Sequence, residues 1–402
     1  MTRWLLTVRH FWNLKSPVIE RDARAATEDP AYRTNDLNLS YFTMPLHPPG
    51  RDYRQTLAED RDAIVLAETL GFAEAFVGEH VTDTAETITS SLMFLASLAP
   101  LTSKIQLGSG TVNLPNTHPA AVAAQVAMLD HLLDGRFVLG ISPGGLRTDA
   151  EVFGNLERDR RAMFDESIEQ VLAIWAGAAP YDIKGEFWRV STRQTMDLEI
   201  GQGEILKPLQ RPHPPIMVAA MSPFSNSVYN AAVRGWSVVS ANFLQPAWVA
   251  SHWQKLNEGW QQAGLAPQAG QWRVARSIFV AEDEQTARNY ALNPDGAYGH
   301  YYRSLMRKLI GNGRPDLFKD PAEMADSDVT HEFVMRSLVI CGTPDQVTEQ
   351  ILTLREITGP FDTLVYAGHD WVDETLSRRS MQLMAEEVMP AVNRALNRDK
   401  HS

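Results

Sequence analysis

Eight times along this chain a short apolar run of strand length gives way to a longer segment with helical spacing, and that alternation restricts the fold more than any other feature. The strand candidates are 37–44, 74–78, 104–112, 136–142, 214–220, 236–241, 273–281 and 361–368. Helical segments lie between them. In 56–71, Ile64, Leu66, Ala67 and Leu70 share one face ahead of a Gly stop, and 90–99, 119–133 and 160–176 read the same way. Several strand runs, PPIMVAA at 214–220 among them, are apolar without interruption, the pattern of parallel strands covered by helices. Eight such units in roughly 330 residues predict an α/β protein built as a (β/α)8 TIM barrel, with a doubly wound open sheet as the second topology.

Composition narrows the function classes. The 402 residues carry 37 Lys plus Arg against 49 Asp plus Glu, a formal charge of −12. A nucleic-acid binder needs a surplus of Lys and Arg on one face, and no such patch stands out. A hydrophobic share of 44% with 21% charged is ordinary globular composition. The single cysteine, Cys341, has no partner for an internal disulfide or a thiolate metal site, so a cytoplasmic location is expected. The first residues, MTRWLLTVRH, are too short an apolar patch for an export signal, and no run approaches the ~18 apolar residues of a membrane span.

Residues 1–36, with Trp4, Phe11, Trp12 and Tyr32 among many charges, read as an N-terminal extension to a barrel over 37–402. Two stretches exceed the simple repeat, near 178–213 and 290–343, and loops this long are usually lids or binding loops. The first contains YDIKGEFWRV (181–190), a hairpin candidate. The second ends in LVICGTPDQV (338–347), where Thr343 can cap a helix that starts at Pro344.

Barrel chemistry sits where strands end in their C-terminal loops. Glu79 and His80 follow the second strand; Thr111, Asn113 and His118 the third; Ser142 to Arg147 the fourth; Ser222 and Ser225 the fifth; Asn242 the sixth. The 11 histidines form no i, i+4 pair joined to a carboxylate, so metal-ligand logic is missing, and no G-x-S-x-G follows a strand. What remains suits a phosphate-bearing ring cofactor. Met221, Ser222 and Ser225 lie between a strand and a helix, where hydroxyls and free N–H groups face an anion. Ser142, Gly144 and Arg147 belong to a second glycine-rich loop with a cation. A capped helix start and an ordinary glycine turn explain the same residues equally well.

The runs AFVGEHVTD (75–83), IQLGSGTVNLPNTHPAAVAAQVAMLDHLLDGRFVLGISPGG (105–145), PPIMVAAMSPFS (214–225), CGTPDQV and MQLMAEEVMPAV (381–392) resemble the bacterial luciferase-like, flavin-dependent monooxygenases. The resemblance runs in order from Leu37 nearly to the C-terminus. FTMPLHPPG (42–50) and GISPGGL are most similar to the limonene-monooxygenase type. The resemblance implies a barrel that takes reduced FMN as co-substrate from a separate flavin reductase. Dioxygen then forms a flavin peroxide, which oxygenates a small, largely apolar organic substrate by epoxidation, hydroxylation or Baeyer–Villiger insertion. It also implies a homodimer. A chain without a G-x-G-x-x-G nicotinamide fingerprint after a strand fits an external reductase.

Carried onto this sequence, the resemblance makes His80 the catalytic acid–base group, with Val81 where many members have a second histidine. An imidazole of pKa near 6.5 would exchange the peroxide proton. Gly110 and Thr111 occupy the place of a non-proline cis peptide beneath the ring, with Asn113 beside it. Ser222 and Ser225 match phosphate-contacting hydroxyls. Pro143 stands where luciferases have a phosphate arginine, and Arg147 is the substitute. Phe42, Met44 and Phe243 fit an apolar substrate pocket or core packing. His118 reads as structural, and Asp130, Asp134 and Arg136 as fold-stabilising pairs. Two alternatives stay open: a deazaflavin-coenzyme dehydrogenase or reductase on the same barrel, and a flavin-binding protein without turnover.

Overall fold

A computed structural model describes residues 36–43 and 45–398. Residues 1–35, and with them the expected N-terminal extension, lie outside the described residues, as does Met44.

Eight parallel strands form a closed ring: β1 (Asn38–Thr43), β2 (Glu74–Val77), β3 (Gln106–Ser109), β4 (Phe137–Ser142), β5 (Ile216–Ala220), β6 (Ser237–Ser240), β7 (Trp272–Val280) and β8 (Thr363–Ala367). The closing pairs decide between the two expected topologies. β7 bonds to β6 at Trp272↔Val238 and to β8 at Arg273↔Thr363, while β8 bonds to β1 at Thr363↔Asn38. An open sheet would leave two edges; this ring has none, so the fold is the barrel.

β7 has nine residues, and its second half, from Ser277 to Val280, pairs with a ninth parallel strand, Val339–Gly342, outside the ring. That strand is not among the eight expected from the sequence. The helix start itself is there: Thr343 caps Pro344–Thr358 in a capping box with Gln346.

Alternation along the strands sorts side chains into two layers. Phe76, Val138, Met217, Val239, Ala275 and Val365 fill the ring, with Phe42 against them. Beneath them Glu74 accepts from Ser40 Oγ at 2.9 Å and from Arg273 at 2.7 and 2.5 Å, a buried ion pair satisfied by geometry on both oxygens. The larger core lies between the strands and the helices around them.

The two insertions are tied down by backbone-directed side chains. In the first, strands Asp182–Lys184 and Arg189–Ser191 make the expected hairpin, whose turn donates the N–H groups of Glu186, Phe187 and Trp188 to Glu166. Its far end is held by Asp130, which accepts from the backbone N and Nε2 of Gln210 at 2.8 and 2.7 Å. Asp130 and Arg136 therefore stabilise the fold without pairing with each other, since Arg136 donates to the carbonyls of Ile105 and Thr102.

In the second insertion, helix Ala297–Gly311 crosses the C-terminal mouth of the barrel. Near its start Tyr301 donates to Asn242 after β6, and Tyr302 to Ser277 on β7, both at 2.9 Å. Lys308, some 10 Å further along the axis, reaches Asp83 and Glu86 in the loop after β2. This helix is called the lid below. No helix among the described residues is long and apolar enough to cross a membrane.

Candidate active site

The loop after β2 carries the most heavily engaged residues. Glu79 accepts from Asn113 N at 3.2 Å through Oε1, and from Ser91 N and Oγ at 2.9 and 2.7 Å through Oε2. One carboxylate thus ties the loops after β2 and β3 to the start of helix Ser91–Leu98. His80 follows, its side chain 17% exposed between two acids: Nδ1 hydrogen-bonds Asp149 Oδ2 at 2.9 Å, and Nε2 lies 3.0 Å from Glu86 Oε2.

Burial alone would lower the His80 pKa. The hydrogen bond to Asp149 and the Glu86 carboxylate outweigh it and push the imidazole up to about 10. The expected value near 6.5 is therefore corrected: at neutral pH this ring is an imidazolium. Asp149 responds in the opposite sense. Burial raises it, but bonds from His80 and from the hydroxyl and N–H of Thr82 bring it down to about 2.

The residues expected near the ring after β3 and β4 do come together. The Gly110–Thr111 peptide is cis. Thr111 Oγ1 donates to Ser142 Oγ at 2.7 Å, Ser142 Oγ donates to Asn113 Oδ1 at 2.8 Å, and Gly144 N donates to Ser142 Oγ at 3.2 Å. Glycine is needed at both ends of this chain. A Cβ on Gly110 would stand 2.6 Å from Phe42 Cε2, and Gly144 has φ +80°, with Asn113 3.6 Å from where its Cβ would be. The loop after β5 joins them, since a Cβ on Gly145 would lie 3.8 Å from Met221 Cε.

The 221–227 segment contains the capped helix start. Ser225 caps helix Asn226–Val233 by accepting from Ser227 N. The Ser222 carbonyl accepts from Nε2 of His252, whose Nδ1 meets Ser240 Oγ. Burial holds that histidine neutral, at about 4. Met221 is exposed, and Phe224 has φ 49°. Three arginines lie near these loops. Arg147 is exposed at the start of the short helix Arg147–Val152, whereas Arg160 donates to the Gly144 carbonyl at 3.0 Å and Arg161 to Ser227 Oγ at 3.0 Å.

On the opposite side of the mouth, His47 is buried between Asp370 at 2.5 Å and Asp60 at 3.4 Å, and Arg51 bridges Asp370 and Glu59. Burial would lower His47, but its two carboxylates raise it to about 9. His47, Glu59 and Asp370 lie close enough to share an ion, yet the Arg51 guanidinium already neutralises two of them. His369 bonds Ser277 Oγ at 2.9 Å and packs against Tyr298 with ring centroids 4.0 Å apart and planes tilted by 37°. Phe42 packs with the barrel interior, and Phe243 is buried in the larger core. His118 is structural: its Nδ1 accepts from Ala120 N at the head of helix Pro119–Leu132.

Sequence reasoning missed Glu86, Asp149, Lys308, Arg160, Arg161, His47 and the His369–Asp370 pair. The last two were within reach, because the strand-end rule extended to β1 and β8 arrives at His47 and at His369.

Residues 37–359 match the family described as luciferase-like monooxygenase. Among curated relatives, 4-hydroxyprotoasukamycin monooxygenase of Streptomyces nodosus subsp. asukaensis is 29% identical, over 90% of this chain and 94% of its own length. Limonene 1,2-monooxygenase of Rhodococcus erythropolis is 28% identical over 89% and 87%. Among solved structures, the oxygenating constituent of 3,6-diketocamphane monooxygenase from Pseudomonas putida superposes with a TM-score of 0.80. That protein, a type II Baeyer–Villiger monooxygenase in complex with FMN, is 27% identical over 88% of this chain and 98% of its own.

Proposed function

The chain belongs to the luciferase-like monooxygenase family, and on that premise we propose that it is the oxygenase of a two-component system, using reduced FMN and dioxygen to place one oxygen atom in a small, largely apolar organic molecule. The observation that carries the reading is the junction of the loops after β3, β4 and β5. A Cβ on Gly110 would collide with Phe42, a polar chain runs from Thr111 through Ser142 to Asn113, Arg160 reaches the Gly144 carbonyl and Arg161 reaches Ser227. A flat ring with a phosphate tail fits that donor set.

Gly110, Thr111, Asn113, Ser142 and Gly144 would lie along the ring, and Met221, Ser222, Ser225 and Arg161 around the phosphate, with Arg147 further out. When bound, the reduced flavin supplies the two electrons that activate dioxygen. The protein's own residues do the rest. His80 holds a proton on Nε2 through the whole neutral range, Asp149 fixes its ring through Nδ1, and the lid keeps bulk water from the mouth. Phe42 offers an apolar wall to the substrate.

The partners follow from the same reading: a flavin reductase in the same cytoplasm and a second copy of the chain. For the latter, Met93 and Leu101 flank helix Pro119–Leu132, where Met128 and Leu132 are exposed, together an apolar face at the barrel's side.

The test is single-turnover chemistry. The protein is mixed anaerobically with reduced FMN and a bicyclic ketone or a terpene alkene, and 18O2 is then admitted. Label in the product is expected. Hydride transfer to or from a deazaflavin with no oxygen uptake would establish the alternative reductase, and flavin binding without any product would leave a carrier.

A further inference from the structure

The two contacts of His80 differ in kind. Nδ1 makes an aligned hydrogen bond to an Asp149 carboxylate that is itself held by Val81 N, Thr82 N and Thr82 Oγ1. Nε2 is 3.0 Å from Glu86 Oε2, but that oxygen is buried and has no aligned donor. The ring feels the Glu86 charge at ion-pair distance, without an aligned hydrogen bond to that oxygen. A buried carboxylate oxygen left without a hydrogen bond is unfavourable, so something must hold it there.

Lys308 does. Its ammonium bonds Glu86 Oε1 at 2.8 Å and also meets Asp83, from the far end of the lid. We propose that Lys308 is a positioning residue for the oxygenation argued above, on which this inference rests: by holding Glu86 through Oε1 it keeps the carboxylate from closing on His80 and leaves the Nε2–H available to an oxygen atom in the mouth.

The charges around His80 set the sign. Its own loop supplies Glu79, Asp83 and Glu86; helix Arg147–Val152 supplies Asp149; the lid supplies Lys308 and His300, which feels Asp83 and Lys308. Removing the Lys308 charge makes this surrounding more negative by one and frees Glu86 to turn. Both effects hold the His80 proton more tightly. The lid thereby does two things when seated: it covers the mouth, and it makes the proton beneath it easier to give up.

The test uses the full chain with and without flavin. In flavin-free protein, 15N-histidine NMR, with His80 assigned by His80→Gln, should show the Lys308→Met imidazole retaining its proton to a pH about one unit higher. With reduced FMN, the same variant should form about tenfold less product per oxygen consumed, and Lys308→Arg should restore it. The double variant Lys308→Met/Glu86→Gln, which lacks the competing carboxylate, should recover both the titration and the coupling. Arg303→Ala, on the same helix but paired with exposed Asp295, should match the parent.

A double variant no better than Lys308→Met, an unchanged or lowered His80 titration in Lys308→Met, or an equal loss in Arg303→Ala would each overturn the proposal. The NMR titration needs no substrate, so it separates failure of this inference from failure of the oxygenase reading.

Discussion

His80→Gln should alter stability in a way that depends steeply on pH. The parent histidine is raised from 6.5 to about 10 by Asp149 and Glu86 against the opposing effect of burial. Between those two values the folded chain binds one more proton than the unfolded chain, so stability falls as pH rises, by about 1.4 kcal/mol per unit. The contribution is fully present below 6.5 and gone above about 10. At pH 7 it is worth about 4 kcal/mol, three units at that slope, and at pH 9 about 1 kcal/mol. The first figure agrees with the ~3–5 kcal/mol typical of breaking a buried ion pair.

Taking the difference between parent and variant cancels every other titrating group. Asp149, already low at about 2, stays ionised throughout this range. The titration belongs to the His80–Asp149–Glu86 cluster, so the midpoint is the cluster's own. Urea unfolding followed by tryptophan fluorescence at pH 7, 8, 9 and 10 reads the gap directly. A gap that stays level across those four values would falsify the imidazolium assignment and with it the acid role.

Two further outcomes bear on the flavin reading. Gly110→Ala puts a Cβ 2.6 Å from Phe42 Cε2 and 3.2 Å from Phe76 Cβ, so the Phe42 ring must move; a loss of about 1–3 kcal/mol of stability and weaker FMN binding are expected by denaturation and fluorescence titration, and unchanged values for both would remove Gly110 from the cradle. Arg161→Gln should weaken FMN about tenfold and leave riboflavin untouched, and equal loss for the two ligands would show that Arg161 does not face the phosphate.

The strands were legible because parallel barrel strands are buried on both sides, and PPIMVAA or RVARSIFVA leaves no other choice at that length. The edge strand Val339–Gly342 was not, because its four residues run into Thr-Pro, whose capping signal is stronger than their own strand signal. His80, Thr111, Asn113 and Ser142 could be found by position, since each follows the end of a strand or closes it. Glu86, Asp149 and Lys308 could not: they come from a loop interior, a one-and-a-half-turn helix and the lid, and only the folded chain brings the three together. Electrostatic partners at long sequence separation leave no local pattern. For that reason the residue type at 80 was readable while its charge state was not.

Charge placement also explains how a chain of −12 can favour an anionic cofactor. The acids cluster around His80: Glu79, Asp83, Glu86 and Asp149. Away from them, Arg160 and Arg161 occupy the first turn of helix Arg160–Ala176, where the backbone dipole makes cations unfavourable. Arg161 then reaches Ser227, in the first turn of helix Asn226–Val233, and Arg160 reaches the Gly144 carbonyl, so two positive helix ends and two guanidinium groups lie near this junction, with Asp159 at the helix cap and Asp165 3.8 Å from Arg161. Like charges do not assemble this way for stability. An anion between them reverses the sign of every term, since helix N–H groups, hydroxyls and guanidinium groups all then face negative charge. The overall acidity strengthens that argument, because a phosphate repelled by the protein at large needs a local field strong enough to hold it.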